Sequence, residues 1–211
     1  MSLSTQLWLA AAVGVVLALG IGWPRRKRRR NGLRALAGLG LLGVAAVALL
    51  GGLLLREYHW VAADAPVARI ALHQLTPQSF QATLTVGGRP PVVLPLHGDE
   101  WQLDARVVRW RVAAVPTPMV RLERLAGRYG DPKQDATARR DVHDLRARWD
   151  FWQFREARLA RLPLADARIA SVEYLPMLEG ATYLVFVDAG DRLVAKPADA
   201  ATEKLLRDAG W

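Results

Sequence analysis

The densest group of side chains with acid–base chemistry lies in the middle of the chain. It contains His97, Asp99, Glu100 and Asp104, one imidazole and three carboxylates within eight residues. Such groups bind metal ions or transfer protons when a fold brings them together. Their spacing matches no known ligand motif, and a charged turn entering a strand explains the same residues. We keep the four as candidate site residues, and we predict no catalytic residue, metal site or cofactor.

Motifs of the common enzyme classes are missing from the sequence. There is no cysteine, no glycine-rich phosphate loop and no Gly-x-Ser-x-Gly nucleophile motif. The four serines, at positions 2, 4, 79 and 171, stand in no catalytic context, and the four histidines are widely separated. An enzyme is therefore not favoured, and an envelope hydrolase that uses the stretch from His97 to Asp104 is kept as an alternative.

The elements that position this stretch are predicted to be antiparallel strands. Apolar and polar residues alternate most clearly from Ser79 to Val86, and Gly87–Pro90 then ends the strand. Strand character also extends over residues 69–75, 92–96, 101–111, 169–175 and 182–187. Helical spacing from Asp135 to Leu162 and from Ala198 to Ala209 adds helices, so we predict an α+β domain.

Two long apolar runs precede this domain. Residues 3–23 and 35–55 carry no charged side chain, and each run of 21 residues can cross a hydrocarbon core of about 30 Å as a helix. Nothing basic precedes the first run, whereas a cleaved signal peptide begins with basic residues. We therefore predict two retained membrane helices. Their small residues recur at helical spacing, which fits packing within the hairpin or onto another protein.

A basic connector joins the two runs. Its basic residues are Arg25, Arg26, Lys27, Arg28, Arg29, Arg30 and Arg34, and none of its residues is acidic. Because basic loops stay on the cytoplasmic side, residues 24–34 are predicted to be a cytoplasmic loop that contacts lipid, with both termini periplasmic in a bacterial inner membrane. Subtracting these seven charges from the formal net charge of +9 leaves +2, so nucleic acid is not an expected partner.

The predicted fold class is a two-helix transmembrane hairpin followed by an α+β domain dominated by antiparallel β-strands. The hairpin covers residues 1–55, a juxtamembrane linker covers 56–66, and the exported domain covers 67–211. A domain of this length can bury its own core without disulfides.

Three segments of the predicted domain carry a family resemblance, namely Gly98–Arg106, Arg121–Tyr129 and Tyr174–Met177. In these segments the chain resembles small proteobacterial two-span membrane proteins that are often labelled multidrug transporter or cation/multidrug efflux pump. The resemblance implies a link to efflux and supplies no catalytic or binding residues.

The sequence thus predicts a membrane-anchored envelope protein whose periplasmic domain binds another envelope component, with an efflux accessory as the more specific form. The expected partners are the lipid bilayer and a membrane or periplasmic protein, and a homo-oligomer stays open. The first alternative is a subunit of a multidrug or cation transporter, although the predicted spans carry none of the ionisable residues that mark ion pathways. The second alternative is the hydrolase named above.

Overall fold

The computed structural model describes residues 3–22, 31–62, 64–87, 89–111, 118–146 and 165–211. These residues fall into two compact units, and the chain passes from one to the other between Tyr58 and His59. The first unit holds two long apolar helices, and the second is built from antiparallel sheets. The predicted fold class, an apolar helical hairpin followed by an α+β domain of antiparallel strands, is therefore confirmed.

The first unit consists of helix α1, Leu3–Gly22, and helix α2, Asn31–Leu55. Their segments Ser4–Ile21 and Gly32–Leu53 are long and apolar enough to cross a membrane, by length and composition. Large apolar side chains such as Val16 cover the outside of the pair. This distribution is the one expected of helices surrounded by lipid.

The second helix begins earlier than predicted. Because α2 starts at Asn31, Arg34 lies in its first turn and not in the predicted loop 24–34. Arginine tolerates helical backbone well, and its long side chain can carry the charge from a helix end toward water. The other basic residues of the connector, at positions 25–30, lie outside the described residues.

Small residues let the two helices approach each other closely. The buried small residues recur at intervals of seven on both helices, at Ser4, Ala11 and Ala18 and at Gly38, Ala45 and Gly52. A methyl group added to Gly14 would lie 3.1 Å from the Ala45 methyl, and one added to Gly52 would overlap the Trp8 ring. Of the two packing arrangements left open by the sequence, the helices adopt the one within the hairpin.

The second unit is a sandwich of two antiparallel sheets. In chain order its described strands are β1 (His59–Trp60), β2 (Ala68–Thr76), β3 (Ser79–Val86), β4 (Val92–His97), β5 (Glu100–Trp110), β6 (Met119–Arg128), β7 (Val142–Asp144), β8 (Ala165–Ser171), β9 (Leu175–Pro176), β10 (Thr182–Val187) and β11 (Leu193–Pro197). Sheet A has the order β1-β6-β5-β8, with β7 beside β6 and β9 beside β5. Sheet B has the order β11-β10-β2-β3-β4. The segment 56–66, predicted to be a linker, contributes β1 to sheet A.

The two sheets enclose one hydrophobic core. Ile70 and Leu84 of sheet B belong to the same buried cluster as Trp101 and Leu103 of sheet A. The Trp101 and Tyr183 rings lie 5.2 Å apart between centroids and are tilted by 59°. On β3, for example, alternate residues supply the core, and the residues between them lie on the outward face of the sandwich.

The chain crosses from sheet B to sheet A at Gly98 and Asp99, between β4 and β5. Gly98 has a φ of 130°, and a methyl group there would overlap the carbonyl oxygen of Arg128. A methyl group on Gly127 of β6 would overlap the carbonyl oxygen of His97. Glycine is needed at both positions because the two backbones pass in direct contact. This crossing fixes the position of His97.

The segment predicted to be helical from Asp135 to Leu162 begins differently. Helix α3, Pro132–Thr137, starts at the Asp131 cap and ends after one and a half turns, and β7 then pairs with β6. The free edge of β6 supplies backbone partners that outweigh the helical spacing of the sequence. Residues 147–162 lie outside the described residues. The C-terminal helix α4, Ala200–Asp208, lies within the predicted range 198–209.

Candidate functional site

His97 makes the contacts that come nearest to an enzyme site. Its Nδ1 lies 2.5 Å from Asp141 Oδ2, and its Nε2 lies 3.4 Å from Ser79 Oγ. Ser79 and His97 are direct cross-strand partners on β3 and β4, so the register of this hairpin places the hydroxyl beside the imidazole. Asp141 precedes β7 and is held there because its carbonyl accepts a hydrogen bond from Gly127 N, at 3.2 Å.

The contacts link Ser79 to His97 and His97 to Asp141, which is the arrangement of a Ser-His-Asp nucleophilic relay. In such a relay the carboxylate orients the imidazole, which takes the proton of the hydroxyl. The side chain of Asp141 is 9% exposed and that of His97 is 27% exposed, so the carboxylate is shielded and the imidazole reaches water. The distance between Ser79 Oγ and His97 Nε2 is long for a hydrogen bond.

An acyl-transfer site also needs donors for the oxyanion. The two backbone amides that follow His97 are already engaged, because Gly98 N donates to Gln78 O and Asp99 N donates to Arg128 O. Neither amide is therefore available to a developing oxyanion. The contacts of His97 hold the crossing between the sheets in place, whatever further chemistry they support.

Asp99 and Glu100 are tied to their neighbours in a similar way. Asp99 accepts hydrogen bonds from Gln78 Nε2 at 2.9 Å and from Gly130 N at 3.0 Å. Glu100 accepts one from Arg128 Nε at 2.6 Å, and this hydrogen bond raises the pKa of Arg128 above its ordinary value. Both carboxylates line a cleft of about 450 Å³ whose other walls include Phe80 and Met177.

Asp104 lies on the outward face of sheet A. Its Oδ2 accepts a hydrogen bond from Arg124 Nε at 2.7 Å, whereas its buried Oδ1 has no hydrogen-bond partner among the described residues. A polar row crosses the sheet at this level, because Ser171, Asp104, Arg124 and Asp144 are register partners on β8, β5, β6 and β7. The row lies along a cleft of about 420 Å³.

Buried charges next to this row pair with one another. Glu123 Oε1 lies 2.6 Å from Arg121 Nη2 and 2.8 Å from Arg106 Nε, and the side chain of Arg121 is only 2% exposed. Charges removed from water in this way are costly unless they are paired. The arrangement supports the outward face of sheet A through ion pairs.

Asp144 is the last residue of the polar row, on β7. Its carboxyl group cannot act as a general acid near neutral pH. Its carboxylate accepts hydrogen bonds from Arg146 Nε at 2.8 Å and from Arg146 Nη2 at 2.6 Å. These contacts lower the pKa of Asp144 to about 2. The group is therefore ionised across the pH range in which proton donation would be useful.

The four predicted candidates fall in two places. His97, Asp99 and Glu100 lie at the crossing between the sheets, and Asp104 lies in the cleft on the outward face. Among the residues that the structure describes, no three His, Asp or Glu side chains form a group that could hold a metal ion. Sequence reasoning placed Ser79 in no catalytic context and did not connect Asp141 with His97. Pairing the two predicted strands across Gly87–Pro90 would have placed Ser79 opposite His97, whereas Asp141 gave no signal.

A third groove, of about 520 Å³, lies between β8 and β11. These strands are the outer strands of sheet A and sheet B on one side of the sandwich. The groove is lined from both strands and from the segments that adjoin them, so it follows the gap between the two sheets.

Comparison with known proteins does not add to these observations. The chain matches no protein-family model, no curated protein and no solved structure. The resemblance to two-span proteins labelled as efflux pumps therefore stays a prediction.

Proposed function

We propose that this chain is a membrane-anchored protein of the bacterial inner membrane whose sandwich domain binds another envelope component in the periplasm. The pair of apolar helices carries the proposal. No ionisable side chain occurs in α1, and the single one in α2 is Arg34 in its first turn. Helices with this composition partition into lipid and leave the sandwich domain in water.

The orientation follows from the charge of the connector. Six consecutive basic residues, 25–30, precede α2, and basic loops of this length stay on the cytoplasmic side. With the connector in the cytoplasm, both termini and the sandwich domain lie in the periplasm. The same basic residues would contact anionic lipid at the inner surface, at about 1 kcal/mol each.

A binding role fits the hairpin better than transport does. Ion and proton pathways through membranes are generally marked by ionisable side chains, and the residues from 35 to 55 contain none. In the efflux setting suggested by the resemblance, the chain would therefore act as an accessory to a separate transporter. The transporter-subunit alternative requires that the hairpin itself join the conducting assembly.

Affinity purification of the full chain from native membranes tests the proposal. We expect a membrane or periplasmic protein to co-purify with the full chain and to be lost when residues 59–211 are removed. A partner retained by the hairpin alone would favour the transporter-subunit alternative. A full chain that purifies without any partner would contradict the binding role.

The relay formed by Ser79, His97 and Asp141 favours a second candidate function, that of an envelope hydrolase. In this candidate His97 takes the proton of Ser79 as its oxygen attacks an ester or amide carbonyl. A fluorophosphonate probe should then label the wild-type chain and fail to label Ser79→Ala. Ser171→Ala is the matched control, because Ser171 is exposed and lies away from the imidazole. A wild-type chain that resists the probe would rule out this activity.

A further inference from the structure

The groove between β8 and β11 is bordered by two open strand edges. Within the described part of the chain, β8 pairs only with β5 and β11 pairs only with β10. Each strand therefore presents backbone groups that no other described strand uses. Open edges of this kind are the surfaces to which an extended peptide can add as a further strand.

On the core side of β8 and β11 the side chains that face the groove are apolar, with one exception, and Asp191, Arg192 and the exposed Glu173, two residues beyond the end of β8, add charged groups to its lining. Ala170 and Ala195 lie on the core side of β8 and β11, next to the buried Leu193. The exception is Arg168, which pairs with Val107 across the sheet and therefore points to the core side of sheet A, at its open edge. The floor of the groove is thus apolar, and a cation stands beside it.

Arg168 differs from the other cations around the groove. Arg192 Nη2 lies 2.8 Å from Asp188 Oδ2, and Asp191 is bound by Arg109 Nη2 at 2.7 Å. By contrast, Arg168 is exposed and forms no ion pair with another described residue. An incoming segment would therefore find one uncommitted positive charge at the centre of β8.

We propose that the groove accepts an extended segment of a different polypeptide, which adds as a strand along β8 and places a carboxylate side chain opposite Arg168. Backbone hydrogen bonds to β8 would supply affinity, and the alternate side chains would meet the apolar floor. This inference rests on the binding role proposed above and specifies the surface and the chemistry of the partner.

A second copy of this chain fits the edge less well. Antiparallel pairing of β8 with itself about the middle of the strand would set Arg168 directly opposite the same arginine. Like charges in that position destabilise a strand pair. Charge complementarity therefore favours an acidic segment of another protein.

Site-specific photo-crosslinking of the full chain in native membranes tests the inference. The photoreactive residue p-benzoylphenylalanine is placed at position 194 on β11, which lines the groove, or at position 93 on β4, the opposite edge of sheet B. Val93 is 50% exposed, so a reagent there samples an accessible control edge. We expect an adduct from position 194, and mass spectrometry should map it to a segment that carries Asp or Glu between apolar residues.

Charge variants decide whether Arg168 acts as proposed. Arg168→Glu should lower the yield of the adduct from position 194 at least tenfold, and Arg168→Lys should keep most of it. Lys204→Glu makes the same change of charge on the exposed side of α4 and should leave the yield within twofold.

The remaining outcomes overturn the inference in distinguishable ways. A partner that crosslinks from position 93 and not from position 194 would support the binding role and would contradict the groove as the binding site. An adduct to a second copy of this chain, or a yield that Arg168→Glu does not change, also contradicts the groove as described. If no protein co-purifies or crosslinks from either position, the binding role fails together with it.

Discussion

The two sides of the sandwich differ in how the gap between the sheets is filled. On the side of β4 and β7, which we call the closed side, His143 Nε2 lies 2.5 Å from Pro95 O and His97 binds Asp141. On the side of β8 and β11, the open side, a groove of about 520 Å³ separates the edges. Histidine side chains connect the sheets on the first side. On the second side Arg109 and Asp191 form an ion pair between the sheets, whereas the outer edges of β8 and β11 and the side chain of Arg168 have no strand or ion-pair partner among the described residues.

This difference changes the meaning of the residues that look most like a site. The cluster of His97, Asp99 and Glu100 draws attention in the sequence, yet each of these side chains is engaged in holding the crossing between the sheets. The open side is lined by alanine, valine and leucine together with scattered charged residues, a mixture that no motif search would select. The densest cluster of titratable side chains therefore stabilises the crossing between the sheets. The open strand edges form the surface that is available to a partner.

The largest expected effect comes from breaking the crossing on the closed side. Gly98→Ala would force a side chain into the backbone of Arg128 at a φ that favours glycine, so we expect a loss of about 3 kcal/mol or more in the free energy of unfolding. Urea unfolding followed by tryptophan fluorescence in detergent micelles measures it. Gly87→Ala, where a methyl group would meet open space, should change stability by less than about 1 kcal/mol. Equal effects of the two variants would contradict the described crossing.

An alkaline titration probes the core that both sides share. Burial raises the pKa of Tyr183 to about 12, and its hydroxyl donates to Pro176 O at 2.7 Å. The unfolded chain ionises this phenol near pH 10 while the folded chain keeps it neutral, so stability should fall as the pH rises from 10 to 12, by up to about 3 kcal/mol. Between pH 8 and pH 11.5 the free energy of unfolding should therefore fall less for Tyr183→Phe than for the wild type, because the variant has no phenol to ionise. A variant with the full wild-type loss would show that the phenol is accessible.

Removing the carboxylate that His97 contacts on the closed side should have an intermediate effect on stability. Asp141→Ala leaves His97 without its carboxylate at a shielded site, and we expect a loss of about 2 kcal/mol in the free energy of unfolding. The control is Glu179→Ala, because the pair of Glu179 with His73 is largely exposed. That variant should lose no more than about 1 kcal/mol. Equal stability of Asp141→Ala and Glu179→Ala would contradict the shielded, stabilising role of the contact between His97 and Asp141.

The smallest effect on stability is expected on the open side. Arg168→Glu should change the free energy of unfolding by less than about 0.5 kcal/mol, because Arg168 is exposed and forms no ion pair with another described residue. The same urea titration measures this value. A loss above about 1 kcal/mol would show that Arg168 supports the fold and is not reserved for a partner.

Local patterns predict the parts of the fold that depend on local burial. The alternation from Ser79 to Val86 places Phe80, Ala82 and Leu84 in the core, as the sequence indicates. The apolar runs likewise predict the two helices within a few residues. In both cases each residue's own polarity determines which environment it enters.

Short strands and long-range contacts could not be predicted in this way. The strands β1 and β7 have two and three residues, and their pairing with β6 decides their conformation. The partner of His97 lies 44 residues away in sequence, in a segment whose spacing suggested a helix. Such contacts depend on which elements the tertiary fold brings together, and a single sequence carries no local signal for them.

The most direct test of the account asks on which side of the membrane the sandwich domain lies. Because the chain has no cysteine, a single one can be introduced at an exposed site of the domain, Leu75→Cys, or in the connector, Arg28→Cys. A membrane-impermeant maleimide added to intact spheroplasts should label Leu75→Cys at once and Arg28→Cys only after lysis. Labelling of Arg28→Cys in intact spheroplasts, with Leu75→Cys protected until lysis, would contradict the periplasmic binding domain.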